Sequence, residues 1–470
     1  MTNTTRAHPW MAISAPGVKE RMLAEIGAVS TADLFEQIPA DHFRRTPLNL
    51  PPALTSEVAL RRHLVTTLAR NGDCERTLNF LGAGCWQHHV PAVVDEIIGR
   101  AEFLTPVWGS PQSDHGRNQA WFEFNSQLGE LIGMEVVQLP VYSWGCAIGH
   151  ALRMAARITG RSKVLVPRHT DPERLAVIRT YCEPTEMASH LDVGLIEPDP
   201  ATGRLDLADL AAKLGADIAA VYFENPSYLG RIESEAAEIA ALARANGAET
   251  IIGADPISLG VLKAPADCGA DIVVGPTQPL GVHMNCGGGV GGYMASRDEE
   301  KYVREFNGFL VSIAPTREPG QVGFGLASSH QTSYGAREEG KDWTGNSVYL
   351  WAIANAVYMS LMGPAGFREV GELILARAHY AARRLAAVAG VRVPWPAGLF
   401  KEFVVNFDAT GKTVAEINDA LWRRHAIFGG KDLSTELPEL GQAALYCVTE
   451  IHTAQDIDRL VAAIQEVTGP

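Results

Sequence analysis

Lysine is scarce among the basic residues of this 470-residue chain, with only nine (Lys19, Lys163, Lys213, Lys263, Lys301, Lys341, Lys401, Lys412 and Lys431) of 40 Lys+Arg. Any chemistry that needs one particular primary amine therefore has few candidates. Cysteine is no richer in pattern: Cys74, Cys85, Cys146, Cys182, Cys268, Cys286 and Cys447 are scattered, odd in number and without a C-x-x-C pair. That excludes a disulfide framework and points to a reducing compartment. The opening MTNTTRAHPW has no apolar core of signal-peptide length, so a cytoplasmic protein is expected. There is no basic excess either, since 40 Lys+Arg stand against 54 Asp+Glu for a net charge of −14. A polyphosphate partner such as nucleic acid is disfavoured, because neutralising its backbone takes a basic face.

Two further absences narrow the class. The uncharged stretch 272–296 is broken by glycine and proline, and 344–367 contains Asn346, Ser347, Asn355 and Ser360 and closes on Gly363-Pro364. Neither reads as a membrane span; the second reads as a buried helix of a water-soluble fold. No H-E-x-x-H occurs, so Cys85, His88, His89 and His115 read as polar loop residues near a ligand, and no metal is assigned. Internal repeats and low-complexity tracts are missing as well.

What is present is the length and 46% hydrophobic content of a large folded core. Residues 1–75 read as an arm, with helical pieces at Val18–Ile26 and Thr31–Gln37 and a proline-bearing Pro47-Leu-Asn-Leu-Pro-Pro52 that runs extended. From 76 to 330 short apolar strands alternate with helices. Strands are expected at Lys163–Pro167, Val193–Ile196, Ile218–Phe223, Thr250–Gly253 and Asp271–Val274. Helices are expected at Asn118–Ile132, Ala147–Ile158, Leu207–Leu214 and Ser234–Ala245. This rhythm predicts an α/β fold with a mostly parallel sheet covered on both faces, and ligands at the carboxyl ends of its strands. Residues 331–470 follow as a small α+β domain, with strands at Phe403–Phe407 and Ala444–Val448 and helices at Val370–Ala389, Val414–Arg424 and Ala454–Val467.

Several motifs then bear on chemistry. Gly287-Gly-Gly-Val-Gly-Gly292 satisfies G-x-G-x-x-G in form, but the following Tyr293-Met-Ala reads as a strand, so no dinucleotide site is assigned. Asp255 stands directly after an apolar strand, where a carboxylate can hold a protonated ring nitrogen and make pyridoxal phosphate a better electron sink; an ordinary helix cap is the plainer alternative. In pyridoxal-phosphate enzymes of this architecture the loop after the next strand presents the lysine that forms the imine. Here Gly269-Ala-Asp271-Ile-Val-Val-Gly275 runs into Gln278 instead, and the nearest lysine, Lys263, sits on a turn before that strand. Ser143 and Cys146 open a helix whose free amides suit a phosphate, with a plain capped helix as the alternative.

Taken together these residues resemble the alpha half of the two-subunit P-protein family of the glycine cleavage system, glycine dehydrogenase (decarboxylating). The matching segments span nearly the whole chain. They include Pro47–Pro52, Phe80-Leu-Gly-Ala-Gly84, Gly269–Gly275 with Gln278-Pro-Leu-Gly281, Val357–Leu361, Glu402-Phe-Val-Val405 and Cys447-Val-Thr-Glu450. The resemblance implies a fold-type-I pyridoxal-phosphate unit, transferase-like in its large domain. It implies a heterotetrameric assembly with a homologous beta subunit that carries the Schiff-base lysine. It implies that the complex decarboxylates glycine or a similar small amine and hands the aminomethyl group to lipoyl-bearing H-protein. Asp255, Ser143, Cys146 and Gln278 are then the residues lining any cofactor pocket in this chain.

Departures from the family pattern cluster in loops. In place of T-P-Y-Q-P-E-I-S-Q-G the chain has Val107-Trp108-Gly-Ser-Pro-Gln112-Ser-Asp-His115-Gly116, followed by Arg117. In place of D-G-A-T-A-x-x-E it has Ser143-Trp144-Gly-Cys146-Ala-Ile-Gly-His150, and Asp171-Pro172 replaces the usual His-Pro. The stretch 337–347 is rewritten too. Trp108, Gln112, His115 and Arg117 are expected to complete the partner's active site. Three readings follow: an alpha subunit acting on glycine; a paralogue acting on another amine, with Trp144, His150 and Lys341 as altered specificity residues; and a purely structural subunit. Activity of the chain alone is not expected.

Overall fold

Short apolar runs that close on glycine or proline become the strands of a seven-stranded sheet in the computed structural model of this chain. The structure describes all residues except 1–6, 9, 45, 104–110, 188, 285–290, 343–347 and 470, and gives no side-chain surroundings at 111–116 and 334. It divides into two compact units, Met1–Gly72 and Asp73–Pro470.

The first unit holds helix α1 (Val18–Glu25), a 3-10 turn at Thr31–Phe35 and helix α2 (Glu57–Leu68). The turn is closed by a reciprocal Ser30/Asp33 capping box, while residues 47–52 form neither helix nor strand. Helix α2 is an addition to what the sequence predicted. Ser56 caps it, accepting from the Ala59 amide at 3.4 Å, and none of its side chains is buried.

The second unit is built on the large sheet. Its strands are β1 (Val136–Val137), β2 (Lys163–Pro167), β3 (Asp192–Ile196), β4 (Ile218–Glu224), β5 (Glu249–Gly253), β6 (Ile272–Pro276) and β7 (Gly292–Ser296). They lie in the order β1-β7-β6-β5-β4-β2-β3. The pairs from β6 to β3 are parallel, and β7 runs antiparallel to both β6 and β1. The expected mostly parallel sheet is thus present. Of the Gly287–Gly292 run only Gly291 and Gly292 are described, and the chain enters β7 there rather than a helix.

Side chains alternate across the sheet and separate two cores. Val221 and Phe223 join Trp121, Phe124, Ile239 and Ile353 on the face covered by α3 (Pro111–Ile132), α6 (Ala236–Ala245) and α7 (Tyr349–Ala386). Ala220 and Tyr222 join Ile148, Leu152 and Ile178 on the face covered by α4 (Trp144–Thr159) and α5 (Pro172–Cys182). The Gly363-Pro364 break expected between two helices is a kink inside α7, where Gly363 has φ 53° and ψ −179°. Among the described residues no helix is long and apolar enough to cross a membrane.

Three short antiparallel strands, β8 (Glu402–Asn406), β9 (Lys431–Asp432) and β10 (Ala443–Cys447), form a second sheet in the order β8-β10-β9. Helices α8 (Val414–His425) and α9 (Ala454–Thr468) and the second arm of α7 cover it through Ala378, Leu385, Ile417, Leu421, Leu460 and Ile464. The start of β8 lies against the loop after β4. A Cβ on Gly230, which has φ +75°, would fall 1.8 Å from the Glu402 carbonyl oxygen, so only glycine permits the approach.

Candidate functional site

Strands β2, β4, β5 and β6 end at the same sheet edge, and Asp255 lies two residues past β5. Its Oδ1 accepts from the Ile257 amide at 3.1 Å, so it does cap the following 3-10 turn. Its Oδ2, however, lies 2.6 Å from Lys401 Nζ. Both side chains are almost fully buried, at 5% and 2% exposure. Lys401 immediately precedes β8 and comes from the small sheet, so the pair ties the two sheets together.

The ammonium has further partners. Lys401 Nζ is 2.9 Å from His88 Nε2 and sits 3.9 Å from the ring centre of Trp86. An ammonium only donates, so His88 Nε2 accepts and the ring proton belongs on Nδ1. Nδ1 in turn donates to Glu450 Oε2 at 2.7 Å, and Glu450 Oε1 accepts from the His89 amide at 2.7 Å. Burial pushes the Glu450 carboxyl up, but the hydrogen bonds from His88 and the His89 amide outweigh it and hold it below the ordinary carboxylate range.

Beside this relay lies a second buried network. Arg174 on α5 donates through Nε and Nη2 to both oxygens of Glu224 at 3.1 and 3.0 Å, and its Nη1 lies 3.2 Å from Asp171. Tyr222 Oη donates to Glu224 at 2.8 Å. The guanidinium stacks 4.1 Å from the Trp144 ring centre, and Trp144 leans toward Trp86 with centroids 6.3 Å apart. The space left between Trp86, Trp144, Arg174, Asp255 and Lys401 is a cavity of about 10 Å³, room for about one water molecule.

Glu402, next to Lys401, is buried, and its Oε1 accepts from the Ala83 amide at 2.5 Å. Burial pushes this carboxyl up to about 7 from an ordinary 4.5, against the Ala83 amide, which favours the charged form. An acid raised in this way contributes stability that is complete below its unfolded value and is lost as pH rises through the folded value. Glu402→Gln keeps an acceptor for Ala83 and should remove the loss. Denaturant unfolding is expected to place variant and wild type close together near pH 5 and the variant ahead at pH 8 by on the order of 2–3 kcal/mol.

The sequence-predicted residues fall as follows. Asp255 and Gln278 both border Trp86: Gln278 follows β6, is buried, donates to the carbonyls of Trp86 at 3.0 Å and Val282 at 3.1 Å, and accepts from the Trp86 amide at 3.4 Å. Ser143 caps α4 by accepting from the Cys146 amide at 3.2 Å. Cys146 Sγ turns away to Tyr181 Oη at 2.7 Å and His150 Nε2 at 3.5 Å. His150 is buried with Asn307 Nδ2 at 2.9 Å and the Asp342 carboxylate at 3.7 Å. Burial opposes its charge, but Asp342 and Cys146 raise its pKa to about 8. Lys341 pairs with Glu305 at 3.0 Å. Arg117 lies on α3 with its guanidinium 5.0 Å from the Trp121 ring centre, in the core of the opposite sheet face. Trp108 lies outside the described residues, and Gln112 and His115 are placed on α3 by backbone only.

The sequence reading missed Lys401, Glu450 and Arg174, and it placed His88 on a loop near a ligand without naming its partners. One signal was available: Lys401-Glu402 puts two opposite charges inside the apolar run Leu399-Phe400-Lys401-Glu402-Phe403-Val404, where they must be buried and therefore paired. A lysine does reach the pocket, contrary to the emphasis on its absence. It stands at the carboxylate suited to a ring nitrogen, whereas the pyridoxal aldehyde is para to that nitrogen, so it is not placed for imine formation. Lys263 is exposed.

A parallel sheet with a post-strand aspartate at its carboxyl edge and a small α+β unit attached defines an α/β protein of the fold-type-I pyridoxal-phosphate class. The chain belongs to the glycine cleavage system P-protein family, whose family model matches residues 14–464. A probable glycine dehydrogenase (decarboxylating) subunit 1 of Pyrococcus horikoshii is 36% identical over 96% of this chain and 97% of its own length. Its counterpart in Staphylothermus marinus is 34% identical over 98% of both chains. The crystal structure of a glycine decarboxylase (P-protein) of the glycine cleavage system, in inhibitor-bound form, matches with a TM-score of 0.86 at 32% identity, covering 98% of this chain and 100% of that one. A sphingosine-1-phosphate lyase of Burkholderia pseudomallei shares the fold, with a TM-score of 0.63 at 15% identity over 90% of this chain and 92% of the lyase.

Proposed function

We propose that this chain is the non-lysine, alpha-type subunit of a pyridoxal-phosphate-dependent glycine dehydrogenase (decarboxylating), working in the cytoplasm with a homologous lysine-bearing subunit. The reading rests on the full-length similarity to proteins named subunit 1 and on one local observation. Two residues past β6 stands Gln278, whose amide is spent on holding the Trp86 loop and cannot condense with an aldehyde. Pyridoxal phosphate, when bound in the complex, supplies the electron sink for loss of CO2. The pocket beside Asp255 in this chain does not fit it, since Asp255 is already paired and the remaining cavity is about 10 Å³.

In this proposal the partner carries the cofactor and this chain completes its site. Trp108, Gln112 and His115 are the residues this chain would contribute toward the glycine, whereas Arg117, buried against Trp121, stays in the chain's own core; residues 1–75 act as the clasping arm, and lipoyl H-protein receives the aminomethyl group. The test is reconstitution: release of CO2 from carboxyl-labelled glycine is expected with both chains and H-protein present, and neither chain should act alone. Full activity of the lysine-bearing chain by itself would overturn the reading. Within the assembled complex, His115→Ala is expected to lower turnover by about 10²-fold; unchanged turnover with an intact complex would favour a purely structural subunit.

A further inference from the structure

A buried carboxylate at the edge of a parallel sheet needs a cation, because an unpaired charge there is strongly disfavoured. A protonated pyridine nitrogen is one cation that suits it; in this chain Lys401 is another, held at 2.6 Å. We propose that Lys401 is a built-in ligand: its ammonium occupies the ring-nitrogen position on Asp255 and the indoles of Trp86 and Trp144 fill the place of the ring, so this pocket is closed to pyridoxal phosphate and serves as a latch between the two sheets.

The geometry of the latch is complete. Each group of the ammonium's surroundings is matched: Asp255 Oδ2 and His88 Nε2 accept, and the Trp86 face lies 3.9 Å away. The relay then passes through His88 to Glu450, which follows β10, so two points of the small domain are fastened to the loop at 85–89 and to the turn after β5. Lys401 itself has φ +64°, a left-handed conformation that a non-glycine residue keeps only where its surroundings impose it. Its carbonyl is fixed by the Val448 amide at 2.9 Å, which holds the backbone so that the side chain enters the pocket. A pocket that must open for a ring and a phosphate gains nothing from such an arrangement, whereas a pocket permanently filled by its own side chain is rigid without any ligand.

The inference goes beyond the proposed activity and concerns this chain whatever substrate the complex takes, so the two can fail separately. Calorimetric titration of the full chain with pyridoxine 5′-phosphate, which has the ring and phosphate but no aldehyde to react with surface lysines, is expected to show no saturable binding. Saturable binding that Asp255→Asn abolishes would overturn the proposal. Thermal midpoints of wild type, Lys401→Met, Asp255→Asn and the double variant test the latch itself. Lys401→Met should lower the midpoint by several degrees in the wild-type background and by clearly less when Asp255 is already Asn. Equal shifts in both backgrounds contradict the latch, and the titration of the wild-type chain decides the matter even if Lys401→Met does not fold.

Discussion

Arg174→Met is expected to destabilise the chain by about 3–5 kcal/mol, the loss typical when one member of a buried ion-pair network is removed. Arg174 is the cation of two buried carboxylates, donating to both oxygens of Glu224 and lying 3.2 Å from Asp171. Methionine fills much of the volume over Trp144 but leaves both acids without a countercharge. Burial already pushes the Glu224 carboxyl up in the native protein, so in the variant it takes up a proton more readily and the penalty grows with pH. Denaturant unfolding at pH 6 and pH 8 should therefore show a larger loss at pH 8. Arg174→Lys restores charge but not the two-pronged geometry, and is expected to recover only part of the deficit. A loss below about 1 kcal/mol, the range of exposed pairs, would mean that the network is not the support it is described as.

Deleting residues 1–72 is expected to abolish co-assembly with the lysine-bearing subunit while the remaining chain keeps its helical and sheet content. Helix α2 exposes Val58, Leu60, Leu64, Val65 and Leu68 at 42–64%. A twelve-residue helix has little stability of its own in water and normally acquires it by packing an apolar stripe. In the first unit Leu23 is the one large apolar side chain buried among the described residues, so the unit has almost no core of its own. Its apolar side chains are thus available to a neighbouring subunit, and a surface of this kind marks an association site. Size-exclusion chromatography of the truncated chain mixed with its partner should give separate peaks. Co-elution at the position of the full complex would remove the arm from the account of assembly.

Much of the large sheet was legible because parallel strands are buried on both faces and read as short apolar runs. Lys163–Pro167 was placed residue for residue, and the neighbouring strands to within a residue or two. Helix starts were legible where a capping side chain marks them, as at Leu207, Val414 and Ala454 after Asp206, Thr413 and Thr453, and less so at two others. The α4 helix begins at Trp144, three residues before the expected Ala147, because Ser143 supplies the cap; α3 begins at Pro111, where proline suits the first turn. Helix α2 escaped notice since its apolar residues interleave with Arg61, Arg62 and His63 and none is buried. At the site, Asp255 could be singled out from its place after a strand and Lys401 from the apolar run around it, but their pairing could not: Lys401 lies at the start of another sheet, and a contact over that separation leaves no local pattern. The same holds for His88 and Glu450, which meet only in the folded chain.

Borohydride reduction of the assembled complex, followed by peptide mass spectrometry of both chains, tests the central claim most directly. The reduced pyridoxyl group should be found on the lysine of the partner subunit and on no residue of this chain, Lys401 included. A stoichiometric pyridoxyl adduct on this chain would contradict both its role as the non-lysine subunit and the filled pocket beside Asp255.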